Sequence, residues 1–292
     1  MKWLITGGSG QLGNALSNVL ATNSIDFISL TKEKLDISEI SSISTIKEIS
    51  PGVIVNCAAW TNVDGAESNQ SAAFAVNEAG ARNVAIAASE LKIPLMHIST
   101  DYVFSGESKK PWSVNSLREP LSIYGCSKLA GEIAVQEVHQ EASYILRTGW
   151  LFSRWGRNFV KTILRAALLN EKVNVVSDQF GQPTSALDLA KQITLLMEHE
   201  LPFGFYHGTN SGEASWFDFA CTIFKFAGMD ENNVSAVKTF DYPTKAKRPS
   251  FSVLDLSKWY ETLVPPMRSW KDALKDEFPY ILNEIEKRGL NG

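Results

Sequence analysis

The stretch "KWLITGGSGQLGNALSNVLA" (residues 2–21) decides how the rest of the chain is read. Residues 2–6 form a short apolar run that stops at glycine, and from Gln11 onward apolar side chains recur at helical spacing. Between them stand Gly7, Gly10 and Gly13, three residues apart. Gly7 permits a tight turn, Gly10 leaves the backbone open to close approach by a ligand, and Gly13 lets the helix pack closely on a sheet. The unpaired N–H groups of the first helical turn then face an anion, and a pyrophosphate suits them. The turn predicts a dinucleotide site at Gly7 and Gly10.

The pattern that follows supports this. Strand-like runs at 26–31, 53–58, 94–100 and 144–148 alternate with helical periodicity around 43–49, over 72–91 and after Tyr124. Val-, Ile- and Leu-rich runs separated by helices predict α/β structure, a Rossmann-type doubly wound parallel sheet. The later half is less regular. Helices are expected at 158–170, 186–200 and 216–228, strands at 172–177 and 203–209, then a Pro- and Lys-rich loop at 242–255 and C-terminal helices. The expected organisation is a core over 1–150 and a smaller C-terminal substrate-binding lobe over 151–292, some of whose segments cross back to the core.

Bulk properties narrow the function classes. At 292 residues the chain can bury a large core, and 44% hydrophobic with 21% charged residues is ordinary globular composition. A net charge of −4 gives no reason to expect nucleic acid or an anionic membrane as partner. Cys57, Cys126 and Cys221 read as free thiols in a reducing compartment. His97, His139, His199 and His207 lack ligand-like spacing, so no metal site is expected. No targeting leader precedes the first strand, and no apolar run approaches the roughly 20 residues of a membrane helix. A cytoplasmic protein is expected.

The second strand runs into "SLTKEKLD" (29–36). NAD-selective sites usually place an acid there, against the adenosine ribose. Here Thr31 holds that place, followed by Lys32 and Lys34, so NADPH is the expected cofactor and NADH a usable one. Asp36 and Ile37 would border the adenine.

In "YGCSKLAGE" (124–132), Tyr124 and Lys128 are four residues apart and share one helix face. A free phenol ionises near pH 10, and a neighbouring ammonium lowers that value. Lys128 can also hold the nicotinamide ribose, while Tyr124 gives its proton to a carbonyl oxygen receiving hydride. "ISTDYVF" (98–104) brings Thr100 to a strand end, at the edge where doubly wound folds bind ligands.

With these three elements in order, the chain resembles the extended short-chain dehydrogenase/reductases, and within them the dTDP-4-dehydrorhamnose reductase family. "GGSGQLG", "PGVIVNCAAWTNVDGAE", "VNEAGARNVA", "HISTDYVFSG", "YGCSKLAGE", "ILRTGWLF", "DQFGQPTSALDLA" and "KRPSFSVLD" carry the likeness over nearly the whole length. The resemblance implies NAD(P)H-dependent reduction of the 4-keto group of dTDP-4-dehydro-L-rhamnose. It implies Thr100, Tyr124 and Lys128 as the catalytic set. Cofactor contacts carry over to Gly10, Gln11 and Leu12, to Thr31, Asp36 and Ile37, and to Ala59, Trp60 and Thr61. Substrate contacts carry over to Thr100, Asp101 and Trp150. Trp150 offers a flat apolar face to a deoxysugar, and the planar fork of Arg248 suits a diphosphate.

The chain also departs from the family pattern. Cys57 stands where alanine is frequent, and Trp60 replaces a smaller aromatic or histidine. Ala15 occupies a helix region where some members carry a carboxylate for a magnesium-linked dimer, so a monomer or a metal-free homodimer is expected. A dehydratase of the same fold is disfavoured, since Thr100-Asp101-Tyr102 offers one carboxylate and then an aromatic, and a 4-epimerase is disfavoured by the expected tolerance of a 2′-phosphate. A regulatory protein like the regulatory subunit of methionine adenosyltransferase is the non-enzyme alternative.

Overall fold

Six parallel strands form the central sheet of the computed structural model, which describes residues 1–288. They are β1 (Trp3–Thr6), β2 (Phe27–Leu30), β3 (Val53–Asn56), β4 (Leu95–Thr100), β5 (Ser143–Thr148) and a sixth strand, Gly204–His207. Across the sheet the order is sixth strand, β5, β4, β3, β1, β2. The chain leaves β1 outward to β2, then returns to the other side of β1 as β3. That reversal opens a crevice at the carboxyl ends of β1 and β3, the place where doubly wound folds hold ligands.

Alternate strand residues serve the two faces. Trp3, Ile5, Met96, Ile98 and Leu146 pack with Leu12 and Leu16 of α1 (Gln11–Thr22). Leu4, Ile54, Leu95 and Ile145 face α2 (Ser42–Ile49), α5 (Gly80–Leu91) and α6 (Ile123–His139). Between α2 and α5 lie two short helices, α3 (Val63–Ser68) and α4 (Gln70–Phe74). The single helix expected over 72–91 is broken by a π-helical turn, Ala75–Ala79. Its Asn77 is buried, accepts from the Trp60 N–H at 2.8 Å, and donates to the Trp60 carbonyl and to Ser127 Oγ. The irregular turn thus ties the loop after β3 to α6, and π turns recur at such functional places.

Past β5 come α7 (Phe159–Leu168), α8 (Ala186–Glu198), α9 (Trp216–Phe226) and α10 (Trp270–Arg288). α8 returns to the sheet, where Leu189 and Ile193 join the core formed with α1. α7, α9 and α10 build a second core around Leu164, Phe219, Ile223, Trp270 and Ile281. Within the described residues the expected C-terminal helices are one helix, preceded by a short 3-10 turn, Ser257–Glu261. Residues 250–255 are pinned between the two cores by backbone bonds to Phe180 and Trp112, each 2.8 Å.

Candidate active site

A cleft of about 850 Å³ lies along the carboxyl edge of the sheet, between the two cores. Gly7 and Gly13 make its floor. Gly7 has φ +64°, and a Cβ there would meet Ala58 at 2.7 Å; a Cβ on Gly13 would stand 2.5 Å from the Gly7 carbonyl oxygen. Only glycine permits this contact between turn, helix and neighbouring strand. α1 begins after Gly10 with no side-chain cap and no acid in its first turn. Its free N–H groups and the bare backbone fit a dinucleotide's pyrophosphate. Gly7, Gly10, Gln11 and Leu12 all line the cleft. The Gln11 side chain crosses to the second core, where its Oε1 accepts from Ser153 at 3.0 Å and Asn158 at 2.9 Å.

The adenosine wall holds part of the expected set. Thr31 and Lys34 lie outside the cleft lining, whereas Lys32, Asp36 and Ile37 line it. A carboxylate therefore does stand on this wall, although none occupies the second strand's end. Asp36 accepts from the Ser38 hydroxyl at 2.6 Å and N–H at 3.0 Å, and pairs with Lys32 at 3.5 Å. The Ser38 hydroxyl is the chief cause that holds its carboxyl below the usual range. Ala59, Trp60 and Thr61 form the opposite wall.

At the far end, Ser122 caps α6 by accepting from the Gly125 N–H, which sets Tyr124 and Lys128 one turn apart on the cleft. Thr100 Oγ1 donates to Asp101 Oδ1 at 3.0 Å, and its hydroxyl also acts on the Tyr124 phenol. Lys128 is buried and donates to the Ile98 carbonyl at 2.6 Å. The phenol is shifted by groups other than Lys128. Burial pushes Tyr124 up to about 12, the Asp101 charge adds to the rise, and the Thr100 bond opposes it. Burial likewise lowers Lys128 to about 8, against the attraction of Glu132. Desolvation outweighs pairing because the ammonium is turned to a backbone carbonyl. Asp101, 3% exposed, is raised by burial to about 6 in spite of bonds from Ser252 and Thr100.

Behind these groups Glu132 takes a two-pronged bond from Arg147, both contacts 2.8 Å, and one from Ser99 at 2.6 Å. This buried pair locks α6 to β4 and β5, and so fixes the helix that carries Tyr124 and Lys128. Removing one partner would strand a buried charge.

Trp150 lines the cleft in a left-handed conformation, φ +51°. Arg248 also lines it, and its fork is engaged by a carboxylate. It grips Asp64 at 2.7 and 3.2 Å, and Asp64 accepts in addition from the Ala246 N–H. Reading the sequence missed Trp216, Thr148, Leu151 and Arg157, which share the lining. None sits in a local pattern that marks a ligand, and only tertiary packing brings them there. Among the described residues no His, Cys, Asp and Glu cluster could hold a metal ion, and no helix is long and apolar enough to cross a membrane.

Comparison with known proteins gives a consistent picture. A family model described as the RmlD substrate binding domain matches residues 1–281. A dTDP-4-keto-6-deoxy-D-glucose reductase of Streptomyces niveus is 40% identical over 286 residues, covering 98% of this chain and 99% of the relative. A dTDP-4-dehydrorhamnose reductase of Streptomyces griseus is 40% identical over 285 residues, with 96% and 94% covered. The crystal structure of a dTDP-4-dehydrorhamnose reductase from Bacillus anthracis in complex with NADP superposes with a TM-score of 0.91 at 39% identity, covering 95% of this chain and 98% of that one.

Proposed function

The chain belongs to the RmlD substrate-binding-domain family, and on that premise we propose that it reduces the 4-keto group of a dTDP-linked 6-deoxysugar, dTDP-4-dehydro-L-rhamnose, to give dTDP-L-rhamnose. NADPH is the cofactor, with NADH usable, and supplies hydride to the carbonyl carbon when bound. The observation that carries this reading is that Tyr124, Thr100 and Lys128 line the same cleft as the glycine turn.

Each residue has a task its surroundings explain. The glycine turn and the open N-terminus of α1 receive the pyrophosphate. Tyr124, held fully protonated by burial, gives its proton to the carbonyl oxygen as negative charge develops there. Thr100 orients that phenol. The Lys128 ammonium orients the nicotinamide ribose. Trp150 and Asp101 face the sugar, one with an apolar surface and one with a polar group. Arg248 turns from Asp64 toward the substrate diphosphate, which its planar fork suits. A metal-free monomer or homodimer working in the cytoplasm completes the reading.

The test is NADPH oxidation with dTDP-4-dehydro-L-rhamnose. Tyr124→Phe should lower kcat by about a hundredfold or more, the usual worth of a positioned acid. Unchanged turnover would remove Tyr124 from the reaction. The Streptomyces niveus relative supports a second reading, in which the ketosugar is dTDP-4-keto-6-deoxy-D-glucose. The ratio of kcat/KM for the two sugars decides between them.

A further inference from the structure

Thr148 ends β5 directly opposite Thr100 at the end of β4. The residue is 5% exposed and lines the cleft, yet Oγ1 has no hydrogen-bond partner among the described residues. The other buried threonines are partnered: Thr6 by Asn56, Thr100 by Asp101, Thr184 and Thr209 by Gln182, Thr194 by Ala190. The remaining unpartnered buried atoms, on His97, Arg165 and His207, belong to residues outside the cleft lining. A buried hydroxyl without a partner is costly, so one facing a ligand cleft marks a place for a ligand atom.

Strand geometry tells which ligand. Leu146, two residues earlier on β5, packs on the face that carries α1, as does Ile98 on β4. Arg147, between them in sequence, points to the opposite face and meets Glu132. Side chains alternate along a strand, so Thr148 shares the α1 face, the side of the glycine turn. Hydride transfer requires the pyridine ring beside the carbonyl held by Tyr124 and Thr100. Thr148 is the neighbour of Thr100, one strand spacing away at about 4.8 Å. The ring's carboxamide has both a donor and an acceptor, and a rotating hydroxyl complements either.

We propose that Thr148 Oγ1 hydrogen-bonds the nicotinamide carboxamide and so fixes which face of the ring meets the substrate. The inference rests on the cofactor reading above. It predicts opposite effects on binding and stability. Thr148→Val keeps the shape and removes only the hydroxyl, so NADP+ should bind about fivefold more weakly by calorimetry, the typical worth of one neutral hydrogen bond. Binding of 2′-phospho-ADP-ribose, which lacks the nicotinamide, should not change. The ligand-free variant should melt at the same temperature or higher, and Thr148→Ser should restore NADP+ affinity. Unchanged NADP+ affinity in Thr148→Val would overturn the proposal, as would equal weakening of both ligands. A raised KM for the ketosugar with NADP+ affinity intact would assign the hydroxyl to the sugar instead. Wild-type protein that binds no NADP+ would overturn the cofactor reading itself, and this inference with it.

Discussion

Trp216 stacks on Trp150 with ring centroids 3.5 Å apart and planes within 6°. Trp216 opens α9 and rests on Phe159, so the second core holds the Trp150 indole in place. Gly181 leaves room for this stack, since a Cβ there would lie 2.5 Å from the Trp150 ring. Gly181→Ala should displace Trp150 and raise KM for the ketosugar by roughly tenfold, within the range of a lost aromatic contact. KM for NADPH should stay as it is. Steady-state kinetics in both substrates checks this.

Arg248, on the cleft lining, pairs with Asp64, 184 residues away in sequence. Arg248→Met should raise the ketosugar KM by about tenfold or more and leave kcat within about twofold, as expected for binding lost equally in ground and transition states. Asp64→Asn should cost no more than about 1 kcal/mol of stability, because the pair is partly exposed. A wild-type KM in Arg248→Met would reduce the guanidinium to a structural part.

Lys128, lowered to about 8 by burial, loses its ammonium in mildly alkaline solution. Tyr124, raised to about 12, keeps its proton throughout. The pH profile of kcat/KM should therefore fall above about pH 8, with the limb set by Lys128. Lys128→Met should be slow at all pH values and lack that limb. A limb surviving in Lys128→Met would assign the titration to another group.

Asp101 has a folded pKa near 6 against an ordinary 3.8. Between these values the folded state binds more protons than the unfolded one, so this group favours folding at low pH and loses that contribution as pH rises toward 6. Above that point the buried carboxylate costs about 3 kcal/mol, from a shift of about two pH units. Asp101→Asn should melt at a higher temperature than wild type at pH 8, with the gap narrowing toward pH 4, while ketosugar turnover falls. Thermal melts at the two pH values decide it.

Much of this was legible before any coordinates. The strands are short β-branched runs, the helices keep their period, and the glycine turn joins one to the next, so local chemistry announces the parallel sheet. Tyr124 and Lys128 lie on one helix turn, and a spacing of four residues suffices to pair them. The break at Ala75–Ala79 was hidden, because its helix-forming residues give no sign of the tertiary bonds that Asn77 makes. Thr31 lies outside the cleft lining, and its distance along the chain from the glycine turn could not tell which residues pack there.

The order of residues alone determined the nucleotide-binding turn, the alternating sheet and the tyrosine–lysine pair, since each depends on neighbours within a few positions. Tertiary structure alone decided the wall made by Trp150 and Trp216, the grip of Asp64 on Arg248, the unpartnered hydroxyl of Thr148 and the pKa shifts of Tyr124, Lys128 and Asp101. Those depend on burial and on contacts between distant segments, which packing sets and local sequence does not encode.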